Sequence, residues 1–180
     1  MNDRDPHPKQ EDRLMYTLKT LSKAAIPGAL EKAERYRLLS EPLEAESICR
    51  DVLAVEPGNQ QALIILLLAL TDTFKQHLNT AFDQAHEVLE RLSDQYCKAY
   101  YGGIICERRA KIHLERGGPG SGRLAYEWFH KAMKLYQTAL NSCSPGNQDA
   151  LLRWNTCARI IMRNPDVAPG EAEAGEQMLE

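Results

Sequence analysis

No apolar run in this chain reaches the roughly 20 residues that a membrane span requires. The longest, Ala62 to Leu70, is nine residues, too few to cross a bilayer and too uniformly apolar for an amphipathic surface helix. No charge sign dominates either. The formal net charge of -3 leaves no overall basic footprint for nucleic acid, so neither nucleic acid nor a membrane is an expected partner. The five cysteines (Cys49, Cys97, Cys106, Cys143, Cys157) are odd in number and form no Cys-x-x-Cys pair, a pattern that suggests neither a disulfide framework nor a zinc knuckle. The opening residues, with Asp3, Arg4, Asp5, Pro6 and Pro8, have no apolar centre for a secretory signal, so a reduced, cytoplasmic setting is expected. Aromatic residues are few, at 7%, and no segment alternates with period two, so no sheet is expected.

What is present is a globular composition, 43% hydrophobic and 26% charged, on 180 residues, a length suited to one domain. Charge is unevenly distributed. From Asn164 onward there are five acids (Asp166, Glu171, Glu173, Glu176, Glu180) and no Lys or Arg, while the interior between Arg13 and Asn164 holds three more bases than acids. The organisation read from this is a disordered head over 1–10, one helical domain over 11–163, and an acidic disordered tail over 164–180, which the opposite charges would place in a basic groove of the domain.

Apolar spacing predicts helices in order. Leu14, Met15, Leu18, Leu21 and Ala25 mark one from Glu11, interrupted at Pro27-Gly28, and a second runs from Ala29 to Leu39. Ser40 is placed to cap a third, Leu43 to Val55, with Pro42 in its first turn. In Pro57-Gly58-Asn59, Gly58 suits a left-handed stop and Asn59 a cap for the apolar helix, which is drawn as far as Phe74. Thr80 and Asp83 read as a capping box for a helix to Leu92. A helix over Tyr96–Glu115 carries Gly102-Gly103, expected to weaken or bend it. A flexible glycine loop, Gly117 to Gly122, precedes helices over Leu124–Ser142 and Gln148–Met162. The fold class is therefore all-α, with antiparallel helix pairs.

The chain also repeats itself. Glu56-Pro57-Gly58-Asn59-Gln60-Gln61-Ala62-Leu63 returns as Ser144-Pro145-Gly146-Asn147-Gln148-Asp149-Ala150-Leu151, with six identities in eight. At these turns, and at Tyr36, Ala45 and Pro57 with Ala33 in the small-residue slot, the chain resembles the tetratricopeptide repeat family, with Cys49 in place of its Phe. A second unit places Leu63, Leu66 and Leu70 on the first helix and Ala81 on the second; a third uses Ala110, Ala132, Tyr136 and Ala139, with the glycine loop as an insertion. The last helix, with Leu151 and Trp154, closes the stack. The resemblance implies a short α-solenoid of about three helix pairs and an N-terminal and a capping helix. It implies a non-enzymatic adaptor that binds a protein or peptide in a concave groove, without a cofactor. The groove positions it suggests are Arg37, Ile64, Leu68, Lys111, Arg153 and Arg159, whose bases would favour an acidic segment. The alternative is a structural subunit that forms a homo-oligomer, a homodimer at its simplest, through apolar helix faces.

Other motifs carry less. Gly117-x4-Gly122-Arg123-Leu124 lacks the Lys and Ser/Thr of a phosphate loop and a preceding strand. Glu127-x-x-His130 stands alone, where helical di-metal sites need two such units and two further Glu.

Overall fold

The structure, a computed structural model, describes residues 16–170. Seven α-helices fill most of that span: α1 (Ile26–Leu38), α2 (Pro42–Val55), α3 (Gln60–Asp72), α4 (Phe74–Glu90), α5 (Gln95–Arg116), α6 (Ser121–Asn141) and α7 (Asp149–Arg163). Among the described residues there is no strand. Each helix packs on the next, and in addition α1 touches α3 and α3 touches α5. The first helices of successive pairs thus lie side by side, and the chain is an all-helical stack of antiparallel pairs. The side on which α1, α3, α5 and α7 meet is called the inner face below.

Local chemistry sets the helix ends. Pro27 and Pro42 sit in the first turns of α1 and α2, where a missing N–H costs nothing. Asn59 Oδ1 accepts from Ala62 N at 2.9 Å, and Asp94 Oδ1 accepts from Cys97 N at 2.7 Å, capping α3 and α5. Several expected signals act differently. Ser40 does not cap α2. It sits at φ 64 beyond the end of α1, where Ser40 N donates to Arg37 O at 3.1 Å and Glu41 N to Tyr36 O at 2.9 Å. That is the paired bonding of a Schellman stop, with serine where glycine is usual. Gly58 is not left-handed, whereas its later counterpart Gly146 is, at φ 88. Thr80 lies inside α4, which starts at Phe74 and is broken at His77 (φ -133, ψ 45); the apolar helix stops earlier, at Asp72.

The expected first helix is largely missing. Residues 16–22 have no regular structure and only Lys23–Ala25 form a 3-10 turn; residues 11–15 of that helix lie outside the described part. Leu18 is exposed and only Leu21 reaches the core, so the stripe has no surface to cover, and a short helix without packing is marginal in water.

The apolar run is covered within the chain. Seven of its nine residues are buried, and the two exceptions, Ile64 and Leu68, are half-buried. One core cluster joins α1 to α5 around Leu63, Leu66, Leu67 and Phe74; a second joins α5 to α7 around Phe129, Tyr136 and Cys157. Leu68 and Tyr101 pack against both. A fully buried Leu of this kind contributes about 1.5–3 kcal/mol.

Helix α5 runs without a break through its glycine pair. Small residues let α5 and α6 approach: Gly102 lies against Leu89 and Leu135, Gly103 against the Tyr136 ring, and Ala110 shares a core cluster with Ala125, Ala132 and Ala139. A Cβ on Gly103 would lie 2.4 Å from Tyr136 Cε1. The tail is also not featureless. In 164–170, Val167 is buried, and a Cβ on Gly122 would lie 2.0 Å from the Asp166 carbonyl oxygen, so this strap lies against the head of α6. Residues 171–180 of the expected tail, and the expected head 1–10, lie outside the described residues.

Two substitutions separate propensity from packing. Gly28→Ala, in α1 with open space around the added methyl, is expected to stabilise by about 0.4–1 kcal/mol. Gly103→Ala should destabilise by about 1–3 kcal/mol, because the Tyr136 ring must move. Urea unfolding midpoints at constant slope check both signs.

Candidate functional site

The inner face gathers most of the charged side chains that have partners on other helices. Arg37 Nε donates to Asp72 Oδ2 at 2.9 Å, joining α1 to α3. From α5, Arg108 Nη1 also donates to Asp72, to Thr71 Oγ1 at 2.6 Å and to the Leu68 carbonyl at 3.2 Å. Asp72 is thereby clamped between two guanidiniums from flanking helices.

Directly before Arg108 on α5 stands Glu107, fully buried. Lys111 Nζ donates to its Oε1 at 2.6 Å, Tyr136 OH from α6 to its Oε2 at 2.6 Å, and Arg153 Nη1 from α7 to both oxygens at 3.2 and 3.4 Å. Burial by itself would raise this carboxyl. Hydrogen bonds from Lys111 and Tyr136, with the charges of Lys111 and Arg153, outweigh it and hold the group below the usual range. Burial, then the Glu107 charge, push the Tyr136 phenol far up, so it stays a donor. For Arg153, burial opposes the charge and Glu107 more than restores it.

Two openings flank this network. A cleft of about 320 Å³ between α5 and α7 is lined by Tyr100, Glu107, Lys111, Leu152, Arg153 and Thr156, with Asp149 at its edge. A smaller one, about 190 Å³, lies between α3 and α5 beside Asp72, Arg108 and Lys111.

The six positions expected from the sequence distribute unevenly. Lys111 and Arg153 converge on one carboxylate, and Arg37 meets Asp72 nearby. Ile64 and Leu68 line the same side of α3, with the Leu68 backbone serving Arg108. Arg159 is exposed on α7 and lines neither opening. The bases are less available than a sequence reading implies. Around the two openings Arg37, Lys75, Arg108, Lys111 and Arg153 stand against Asp72, Glu107, Glu115 and Asp149, an excess of one positive charge. Asp72, Arg108 and above all Glu107 escaped the sequence reading, which had Tyr136 only as a repeat residue of the third unit. The signal for Glu107 was present in its spacing: with Gly103 four residues before and Ala110 three after, it sits on the buried stripe of its helix.

The opposite side of α5 is held differently. Arg109 lies 4.0 Å from the Phe82 ring centroid and 4.3 Å from that of Trp128, a cation sandwiched between α4 and α6. Among the described residues no three His, Cys, Asp or Glu side chains gather as metal ligands, and no helix is long and apolar enough to cross a membrane. Burial pushes the thiols of Cys49 and Cys157 up to about 12 and that of Cys106 up to about 11, so they remain protonated at neutral pH.

Comparison with protein-family models, with curated proteins and with solved structures finds no match to this chain.

The depressed Glu107 carboxyl sets a sign for pH dependence. Its folded-state value lies below its unfolded one, so its contribution is complete above the unfolded value and is lost as pH falls through the folded one. Glu107→Gln should destabilise the chain by about 1–3 kcal/mol at pH 7, with the difference from wild type shrinking as pH falls through the depressed folded-state value. Tyr136→Phe, which leaves Oε2 without that donor, should cost a similar amount at pH 7. Denaturant melts of the three proteins from pH 3 to 8 measure this; a Glu107→Gln deficit that does not vary with pH contradicts it.

Proposed function

We propose that the chain is a non-enzymatic helical-repeat adaptor of the tetratricopeptide type, which holds a segment of a partner protein along its inner face in the reducing cytoplasm. The observation that supports this most is the buried carboxylate network at the floor of the α5–α7 cleft. An ion cluster of this kind is often no more stabilising than apolar packing of the same volume. Its placement under an opening, and not elsewhere in the stack, fits a role in recognition. The five free thiols fit a reducing compartment.

The geometry also narrows what kind of segment fits. With one excess positive charge on the inner face, strong acidity in the partner has little to gain. Arg153 and Lys111, each about one-third exposed at the side chain, retain donors for a single carboxylate or a run of backbone carbonyls. Leu152, Leu68 and Ile64 supply apolar contact beside them. A segment with an acidic residue next to apolar ones fits this surface best. The alternative, a homo-oligomer assembled through the apolar run of α3, has less support because the chain itself covers that run.

The test places a photo-reactive residue at Thr156, on the groove edge, or at Glu87, on exposed α4. Cross-linking in cells should recover one partner from position 156 and not from 87. Leu152→Asp, at a position 59% exposed and so harmless to the core, should weaken binding of that partner about tenfold, ~1.4 kcal/mol. Equal recovery from both positions, or no effect of Leu152→Asp, moves the binding surface elsewhere and sinks the reading.

A further inference from the structure

Large apolar side chains left in water gather at two places on the described helices. One is the turn between α1 and α2, where Leu38, Leu39 and Leu43 are 78%, 62% and 63% exposed. The other is α7, with Leu151 and Leu152 at its start and Met162 near its end. Three exposed leucines within six residues exceed the scattered single apolar residues that any surface carries. The turn that bears them is fixed. Ser40, at φ 64, closes the stop of α1, and Pro42 presets the first turn of α2, so the leucines stand on a preorganised tip. Between Leu38 and Glu44 the charged residues are Glu41 and Glu44, and Arg37 just before them is held by Asp72.

The other end of the stack offers a receptor of opposite shape and charge. Helix α3 lies between α2 and α4, and α5 between α4 and α6, whereas α7 packs on α6 and no described helix follows it. The side left open is an apolar cleft of about 510 Å³, walled by Met133, Trp154, Ala158, Ile161 and Met162. Its two methionines are flexible enough to fit around a branched side chain. The titratable side chains at the cleft that carry or gain positive charge are His130 and Lys134, and no acid is among its lining residues. Glu127, the one acid of α6, pairs instead with Arg123 at 3.8 Å.

We propose that the α1–α2 tip of one copy of this chain seats in the α6–α7 cleft of a second copy. Leu38, Leu39 and Leu43 then cover Trp154, Met133 and Met162, and Glu41 and Glu44 face Lys134 and His130. Charge decides against two clefts facing each other. Lys134, Arg159 and Arg163 would each meet their like, and Asp149, the single acid of α7, lines the other cleft, beside Arg153. The contact joins opposite ends of the stack, so it propagates from copy to copy unless it closes into a ring. It is small, which sets it among the weak, transient interfaces. Neither surface includes a residue lining the two inner-face openings, so assembly is independent of what binds there.

Two doubly substituted copies of the full chain test this. The tip variant carries Leu39→Glu and Leu43→Glu, and the cleft variant carries Lys134→Glu and Met162→Glu. All four positions are exposed, so folding is not at stake. Sedimentation of the wild type from roughly 10 µM to 1 mM should give a mass that rises above the monomer, with each variant alone monomeric. Mixed in equal amounts, the two variants should recover a one-to-one dimer and nothing larger, because one intact tip and one intact cleft remain. Amide exchange across Trp154–Met162 of an isotopically labelled tip variant should slow at least about threefold when the cleft variant is added, with α3 unchanged. A wild type that stays monomeric overturns the proposal. So does a tip variant that still self-associates, since the cleft then pairs with another surface, and so does a mixture that stays monomeric.

Discussion

A carboxylate stands in the seam where α5 meets α6 and α7, and the packing of the last three helices has to accommodate it. Left without partners, a buried Glu107 would cost several kcal/mol. It is tolerated because a Tyr from α6, an Arg from α7 and a Lys from its own helix reach it at once. The Tyr136 ring can arrive only because Gly103 has no side chain. The charge, the ring and the glycine therefore form one unit. Each is unfavourable by the local rules of a helix interior and is stabilised only by the other two.

Seven of the eight expected helices, and their order, were legible in the sequence because apolar spacing and caps such as Asn59 are local signals that tertiary structure rarely overrides. The elements that were misread all depend on something distant. Gly102 and Gly103 weaken an isolated helix, but the approach of Leu89 and Tyr136 decides their role. Ser40 carries no local sign of a left-handed backbone; the bonding of Glu41 back to Tyr36 puts it there. Thr80 has the composition of a cap, yet Phe74 and Leu78 are buried on the core and start the helix earlier. Val167 is a single apolar residue in a polar stretch, and only the gap at Gly122 gives it a seat.

The candidate site was half legible. Lys111 and Arg153 could be assigned to the inner face through the tetratricopeptide resemblance, which implies the side of each first helix that faces the groove. Their common acceptor could not be assigned from opposite-charge patterns, since Glu107 joins a residue four positions away and another forty-six away. The two copies of Pro-Gly-Asn-Gln show the same limit. Asn59 caps α3 directly, whereas Asn147 Oδ1 accepts from Asp149 N two residues on and leaves Gln148 at the head of α7. Identical turn chemistry is thus used in two backbone conformations.

Arg108 and Arg109 are neighbours in sequence but are anchored on opposite sides of α5, one to Asp72 on α3 and the other between Phe82 and Trp128. Together they act as a pair of opposed pins on an axle. Rotation of α5 about its own axis in either sense pulls one guanidinium from its carboxylate or drags the other out from between its rings. Turning the central helix alone therefore works against both anchors at once, and a torque applied at Arg108 is resisted at Arg109.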